Sequence, residues 1–200
     1  VIAMQIPAVL VARYTRLFRF YDRDGDGVHT LSGDFTPVAE RINARWGDRS
    51  TPSPNLLQLL LDTYAHENSR RDSDGSGSVD LKEFIDSHGR VLTAFLASPG
   101  PARAFIGRAA GGFFDLLDLD RDGALELADL QAFAAAYDHP VDGIGANLDA
   151  MLAELGLPPG RLPRTAFLTL VEQYWFDPSP YAPGRRLFDG VPLPDGSHAP

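Results

Sequence analysis

The chain has 200 residues, 44% of them hydrophobic, enough to bury a sizeable core in one large domain or two lobes of about 90 residues each. Its 27 acidic against 18 basic side chains give a formal charge of -9, which excludes a basic nucleic-acid or anionic-membrane surface and makes a cation the natural counterpart. No cysteine is present, so disulfide frameworks, thiolate zinc sites and cysteine nucleophiles are excluded too, and cytoplasmic residence is the default expectation.

The apolar start, Ile2 to Ala12, lacks a basic leader and a small-residue cleavage site and runs into Arg13, Tyr14 and Arg16, so it is expected to form part of a first helix. Leu10, Tyr14, Leu17, Phe18 and Tyr21 recur at three-to-four-residue spacing. They lead into Asp22-x-Asp24-x-Asp26-Gly27, and Phe35, Val38, Ile42 and Trp46 resume the helical period. The same string returns as Asp72-x-Asp74-x-Ser76-Gly77, flanked by Leu56, Leu60 and Tyr64 before and Phe84, Ile85, His88, Leu92 and Phe95 after. It returns again as Asp118-x-Asp120-x-Asp122-Gly123, between Phe105, Ala109, Phe113, Leu117 and Leu127, Leu130, Phe133, Tyr137. Breaker clusters separate the units at Gly47 to Pro54, at Ser98-Pro99-Gly100-Pro101 and at Asp138 to Gly145. A fourth helix–loop–helix follows, with Leu148, Met151, Leu152 and Leu155 before its loop and Phe167, Leu170, Val171 and Tyr174 after it. From Asp177 onward the chain is rich in proline and glycine and is expected to be an extended tail.

Repeated loops of this kind suit Ca²⁺, which takes six to eight oxygen ligands and can be wrapped by a twelve-residue loop. Side chains at loop positions 1, 3 and 5 converge on the ion, position 6 turns sharply, position 7 offers a carbonyl and position 12 closes the shell with a carboxylate. In loop two (72–83) Asp72, Asp74, Ser76, the Ser78 carbonyl and Glu83 meet every requirement, and Val79 at position 8 is placed to pair with a neighbouring loop. In loop three (118–129) Asp118, Asp120, Asp122, the Ala124 carbonyl and Asp129 fill the same places. The closing acid is short there, which suits the smaller shell of Mg²⁺ and makes the site a candidate for mixed occupancy. Loop one (22–34) offers Asp22, Asp24, Asp26 and the Val28 carbonyl, but position 12 is Gly33 and position 8 is His29. Asp34 precedes Phe35 as Glu83 precedes Phe84, so a one-residue insertion would make Asp34 the closing ligand. In the fourth loop (155–166) positions 1, 3 and 5 are Leu155, Leu157 and Pro159, and hydrocarbon binds no ion. Gly160 and Leu162 keep its shape, so its expected use is to pair with loop three.

Three copies with helical flanks and a spaced closing acid outweigh the reading of each string as a solvated turn. Dockerin modules carry the motif too, but in closer pairs, whereas these loops start 50 and 46 residues apart. The five histidines, His29, His66, His88, His139 and His198, form no zinc-type pair and are read as structural; no nucleophile elbow or phosphate loop points to an enzyme.

On these loops and spacings the chain resembles EF-hand proteins, and in particular the sarcoplasmic calcium-binding protein and calerythrin family. The segment from Tyr181 to Gly190 is similar to the carboxyl end of the bacterial members. The resemblance implies an all-α fold of four EF-hand units in two lobes packed into one compact globule. The Pro-Gly segment at 98–101 is taken as the boundary between the lobes, which divides the chain into residues 1–97, 102–176 and a tail, 177–200. The loops give two or three bound Ca²⁺ ions, a monomer is expected, and the resemblance implies a buffering or transport role. With only Met4 and Met151 and an apolar tail available to cover a groove, the chain reads as a buffer more than as a sensor that opens a Met-rich groove to a protein partner. A third class, the photoprotein-like ligand binder, shares the fold; against it stands that no histidine sits beside an aromatic cluster in a recognisable triad.

Overall fold

The computed structural model describes residues 5–46, 56–118 and 120–193. The breaker at Gly47 to Pro54, the first residues of the apolar start, His198 and the end of the tail lie outside the described residues. Among the described residues eight α-helices run in pairs: α1 (Ala8–Tyr21) and α2 (Thr36–Trp46), α3 (Leu56–Arg71) and α4 (Leu81–Ala97), α5 (Pro99–Leu117) and α6 (Leu127–Ala136), α7 (Ile144–Glu154) and α8 (Arg164–Phe176). Among the described residues no helix is long and apolar enough to cross a membrane.

The first helix starts later than its apolar run suggests. Pro7 holds φ -54° and ψ 136°, an extended geometry, and the helix begins only after it. The expected apolar faces of α1, α2 and α4 are buried, with Leu10, Tyr14, Val38, Ile42, Trp46 and Phe84 at 0% exposure. Two members of the α5 stripe depart from expectation: Phe105 is 55% exposed and Ala109 is exposed as well.

Short antiparallel strands join the loops in pairs, as the residues at position 8 predict. β1 (Val28–His29) pairs with β2 (Val79–Asp80), with His29 opposite Val79. β3 (Ala124–Glu126) pairs with β4 (Arg161–Pro163), with Leu125 opposite Leu162. Both halves are therefore built as paired hands, and their cores are shared. One cluster joins Phe35, Val38, Ile42 and Trp46 to Phe114, Leu125, Tyr137 and Leu152; another joins Leu10, Phe18 and Phe84 to Tyr174 and Phe176. Burial of this kind contributes about 25 cal/mol per Å² of apolar surface, so the contact between halves adds to stability and makes one globule.

The carboxyl segment is not the extended tail expected of its composition. It folds back on α8 and α7, makes a 3-10 turn at Pro183–Arg186 and buries Ala182 and Val191. Proline and glycine forbid a long helix but not docking, and the docking is set from α1. Arg13 donates to the carbonyls of Asp177 (2.5 Å) and Ser179 (2.6 Å), and Arg16 to those of Phe188 and Val191 (both 2.7 Å). Gly184 packs so closely on the α8 backbone that a Cβ would clash with the Leu170 carbonyl.

Candidate metal centres

Each loop is placed by a helix end, a turn glycine and a strand. Gly27, Gly77, Gly123 and Gly160 hold φ between 84° and 89°, the left-handed geometry that position 6 requires. The amide of this glycine finds a carboxylate at position 1 in loops one to three: Gly27 to Asp22 (3.1 Å), Gly77 to Asp72 (2.9 Å) and Gly123 to Asp118 (3.0 Å). Leu155 offers no such acceptor in loop four, and Asp149 of α7 takes over, accepting from the Gly160 amide at 3.0 Å. The fourth loop thus keeps its turn without a ligand set.

Loop two gathers Asp72, Asp74 and Glu83 so closely that one oxygen of each lies within 4.8 Å of the others. Glu83 is held ready by three amides, Ser73 N–H (2.7 Å) and Asp74 N–H (3.3 Å) to Oε1 and Asp80 N–H to Oε2 (3.1 Å), with Asp80 capping α4 in return. The Ser73 amide and hydroxyl hold the Glu83 carboxyl below its usual range, and the Gly77 amide does the same for Asp72.

Loop one reproduces this arrangement through its inserted residue. Residues Leu31–Phe35 form a single π-helical turn, which absorbs the extra residue before α2 begins. The turn carries Asp34 into the place of Glu83: Arg23 N–H donates to its Oδ1 and Thr30 N–H to its Oδ2, both at 2.7 Å. Asp22, Asp24 and Asp34 are gathered within 4.8 Å. Asp34 is fully buried, and burial, with Asp24 and Asp22 beside it, pushes its carboxyl up to about 6. Gly33 is needed here because a Cβ would run into the carboxylate of Asp24 and Thr30 Oγ1.

Loop three brings Asp118, Asp120 and Asp122 together, without Asp129. Asp129 instead accepts from the Glu126 amide at 3.0 Å, the bond that each closing acid makes to position 9. The fourth loop intervenes at this site, since Arg161 of β4 pairs with the Asp122 carboxylate and lies 3.8 Å from Glu126.

The residues fit a divalent cation. Oxygens are the only side-chain donors, several carboxylates converge in each loop, and Asp22 Oδ1 and Asp118 Oδ1 are buried with no hydrogen-bond partner. Burial raises both of these carboxyls, an unfavourable state that a bound cation relieves. Asp26 lies outside the tight group of loop one, and its side chain accepts from the Val28 amide at 2.9 Å.

Histidine proves to be more than scattered filler. His29 replaces the expected apolar residue at position 8 and stacks on Phe18 with centroids 4.1 Å apart, edge-on to Phe35 and Phe84. Its Nε2–H donates to the Phe18 carbonyl at 2.8 Å, and burial lowers its pKa to about 4, so it serves as a neutral ring. His88 packs against Tyr14, Phe84 and Trp175, and His139 against Phe20 and Tyr137. These three histidines thus lie beside aromatic rings contributed by elements distant in sequence. His88, Phe20 and Trp175 also line a cavity of about 410 Å³ between the two halves.

No protein-family profile matches the chain, and no curated protein sequence matches it. Solved structures do. The calcium-loaded apo form of the coelenterazine-binding protein from Renilla muelleri aligns over 90% of this chain and 95% of its own, at 19% identity and a TM-score of 0.63. A sarcoplasmic calcium-binding protein from amphioxus aligns over 91% and 97%, at 14% identity and a TM-score of 0.60. A calcium-binding protein from Streptomyces coelicolor, described in terms of prokaryotic calcium-mediated regulation, aligns over 83% and 97%, at 24% identity and a TM-score of 0.55. At these identities the likeness establishes a common fold.

Proposed function

We propose that this chain, an EF-hand protein by fold, binds calcium at loops one, two and three and acts as a calcium buffer. The observation that carries the reading is the equivalence of Asp34 and Glu83. A closing acid displaced by one residue is returned by a π-helical turn to the backbone amides of loop positions 2 and 9, as in loop two. The ligands are Asp22, Asp24, Asp26, the Val28 carbonyl and Asp34 in loop one, and Asp72, Asp74, Ser76, the Ser78 carbonyl and Glu83 in loop two. In loop three they are Asp118, Asp120, Asp122, the Ala124 carbonyl and Asp129, with Mg²⁺ as competitor. Buffering is favoured over sensing by the carboxyl segment, which already covers α7 and α8 where a sensor would open a groove. Calorimetric titration with Ca²⁺, with and without Mg²⁺, tests this. Three ions per chain are expected, with Mg²⁺ competing at one of them; two would remove one loop from the assignment, and fewer than two would overturn it.

A second reading, a calcium-linked binder of a small organic ligand, is favoured by the cavity and its histidine and aromatic lining. The Renilla protein of the same fold is a coelenterazine-binding protein. Saturable enhancement of a neutral apolar dye, N-phenyl-1-naphthylamine, at one per chain is expected on this reading; no enhancement would remove it.

A further inference from the structure

The cavity is apolar over most of its surface, with walls from Leu17 and Phe20 of α1, Ile106 of α5, Phe133 of α6 and Trp175 of α8. One end differs. Glu67, Arg70 and Arg71 of α3 and Ser87 and His88 of α4 meet there. Glu67 is shared between two guanidinium groups, Arg70 at 2.8 Å and Arg71 at 3.1 Å. One carboxylate against two cations leaves a surplus positive charge at this end. Arg71 is the more costly of the two, because its side chain is only 14% exposed, its Nε is buried without a partner, and its guanidinium lies 5.1 Å above the Phe84 ring. Beside it, Arg70 donates to Ser87 Oγ at 3.2 Å. His88 donates from Nδ1 to the Phe84 carbonyl at 2.8 Å and remains neutral, adding no charge. A mouth is available at α5, where Phe105 lines the cavity and is half exposed.

We infer that the cavity takes an amphiphilic organic anion, a hydrocarbon or aromatic body ending in a carboxylate. The acid pairs with Arg71 and Arg70 while the body fills the apolar walls. A carboxylate matches the planar fork of a guanidinium, and it neutralises the surplus charge that Glu67 leaves. The size of the cavity suits a small ligand. This inference rests on the small-ligand reading of the cavity and names its chemistry; the calcium assignment is independent of it.

Displacement of N-phenyl-1-naphthylamine from the calcium-saturated protein tests it, with decanoate and decanol as competitors of matched chain. Decanoate is expected to displace the dye at a concentration at least about tenfold lower than decanol. Arg71→Gln is expected to erase that difference while still binding the dye and the same number of calcium ions. Should Arg71→Gln fail to fold, Arg70→Gln, at a more exposed position, is expected to reduce the preference. Ala110→Trp, which fills the cavity, is expected to abolish dye binding. Equal displacement by acid and alcohol would overturn the anion inference while leaving a ligand cavity. A preference for decanoate that survives both arginine substitutions would overturn it too, and dye binding that survives Ala110→Trp would remove the cavity as the site.

Discussion

The two halves of the molecule solve one problem differently. In the amino-terminal half, loops one and two both end in an acid held by the amides of positions 2 and 9, and their strands pair His29 with Val79. In the carboxyl-terminal half, among the described residues, only loop three gathers carboxylates. Its partner supplies a strand, a turn braced by Asp149, and a cation, Arg161, placed on a ligand carboxylate. Strand pairing is thus kept where the acids are missing, whereas ion binding depends on which loop supplies the acids. A silent partner is also free to oppose binding in its neighbour.

The largest effect is expected from removing the acid that makes loop one equal to loop two. Asp34→Ala leaves the Arg23 and Thr30 amides without their acceptor and removes the closing ligand. Calorimetry should show one ion fewer per chain. The isosteric Asp34→Asn, which retains an acceptor oxygen, should lose the same ion with less loss of fold stability. Unchanged stoichiometry in both would show that the π-helical turn does not deliver a ligand.

Acid should separate the halves next, because the most deeply buried histidines stand in the amino-terminal one. Burial holds His88 neutral with its pKa lowered to about 3, against 6.5 in the ordinary state. The unfolded chain takes up the proton first, so the stability that neutral His88 represents is complete above pH 6.5. It is lost progressively as the pH falls towards 3, by up to about 1.4 kcal/mol per pH unit. His88→Phe keeps a ring among Tyr14, Phe84 and Trp175. Denaturant unfolding of the calcium-free proteins should show the variant losing roughly 2 kcal/mol less than the wild type between pH 6.5 and 5.

Much of the metal chemistry is legible in the sequence because its ligands are local. Asp34 can be found from its position before Phe35, since the apolar register of the exiting helix marks where the closing acid must stand. The π-helical turn is the backbone's response to that register. What resists sequence reading is contact between distant elements. Arg161 reaches Asp122 only because β4 pairs with β3 in one register, and Asp149 reaches Gly160 from a helix outside the loop pattern. The docking of the carboxyl segment depends on Arg13 and Arg16, whose acceptors are carbonyls more than 150 residues away in sequence. The cavity is the extreme case, as its walls come from both halves.

Lengthening the closing acid of loop three should bring that site towards loop two. Asp129 is not gathered with Asp118, Asp120 and Asp122, as Glu83 is with Asp72 and Asp74. Asp129→Glu adds a methylene of reach and the option of bidentate closure. Calcium affinity at this site should rise about tenfold relative to magnesium, about 1.4 kcal/mol, read by competition titration. No change in selectivity would place the weakness of the site elsewhere.

The smallest expected effect concerns the cation that the silent loop contributes. Arg161 and Asp122 are 53% and 35% exposed in their side chains, so solvent screens the pair and it is worth at most about 1 kcal/mol. A calcium ion entering loop three must displace the guanidinium from Asp122 or share the carboxylate with it, and either lowers affinity by up to that amount. Arg161→Gln keeps most of the side-chain length and leaves the backbone pairing of Glu126 with residue 161 intact. It should therefore raise calcium affinity at loop three by up to about fivefold without altering loops one and two. The gain should shrink in high salt, where the pair is already weakened. If the substitution lowers affinity instead, Arg161 positions Asp122 for the ion rather than competing for it, and the silent loop supports its neighbour by charge as well as by strand.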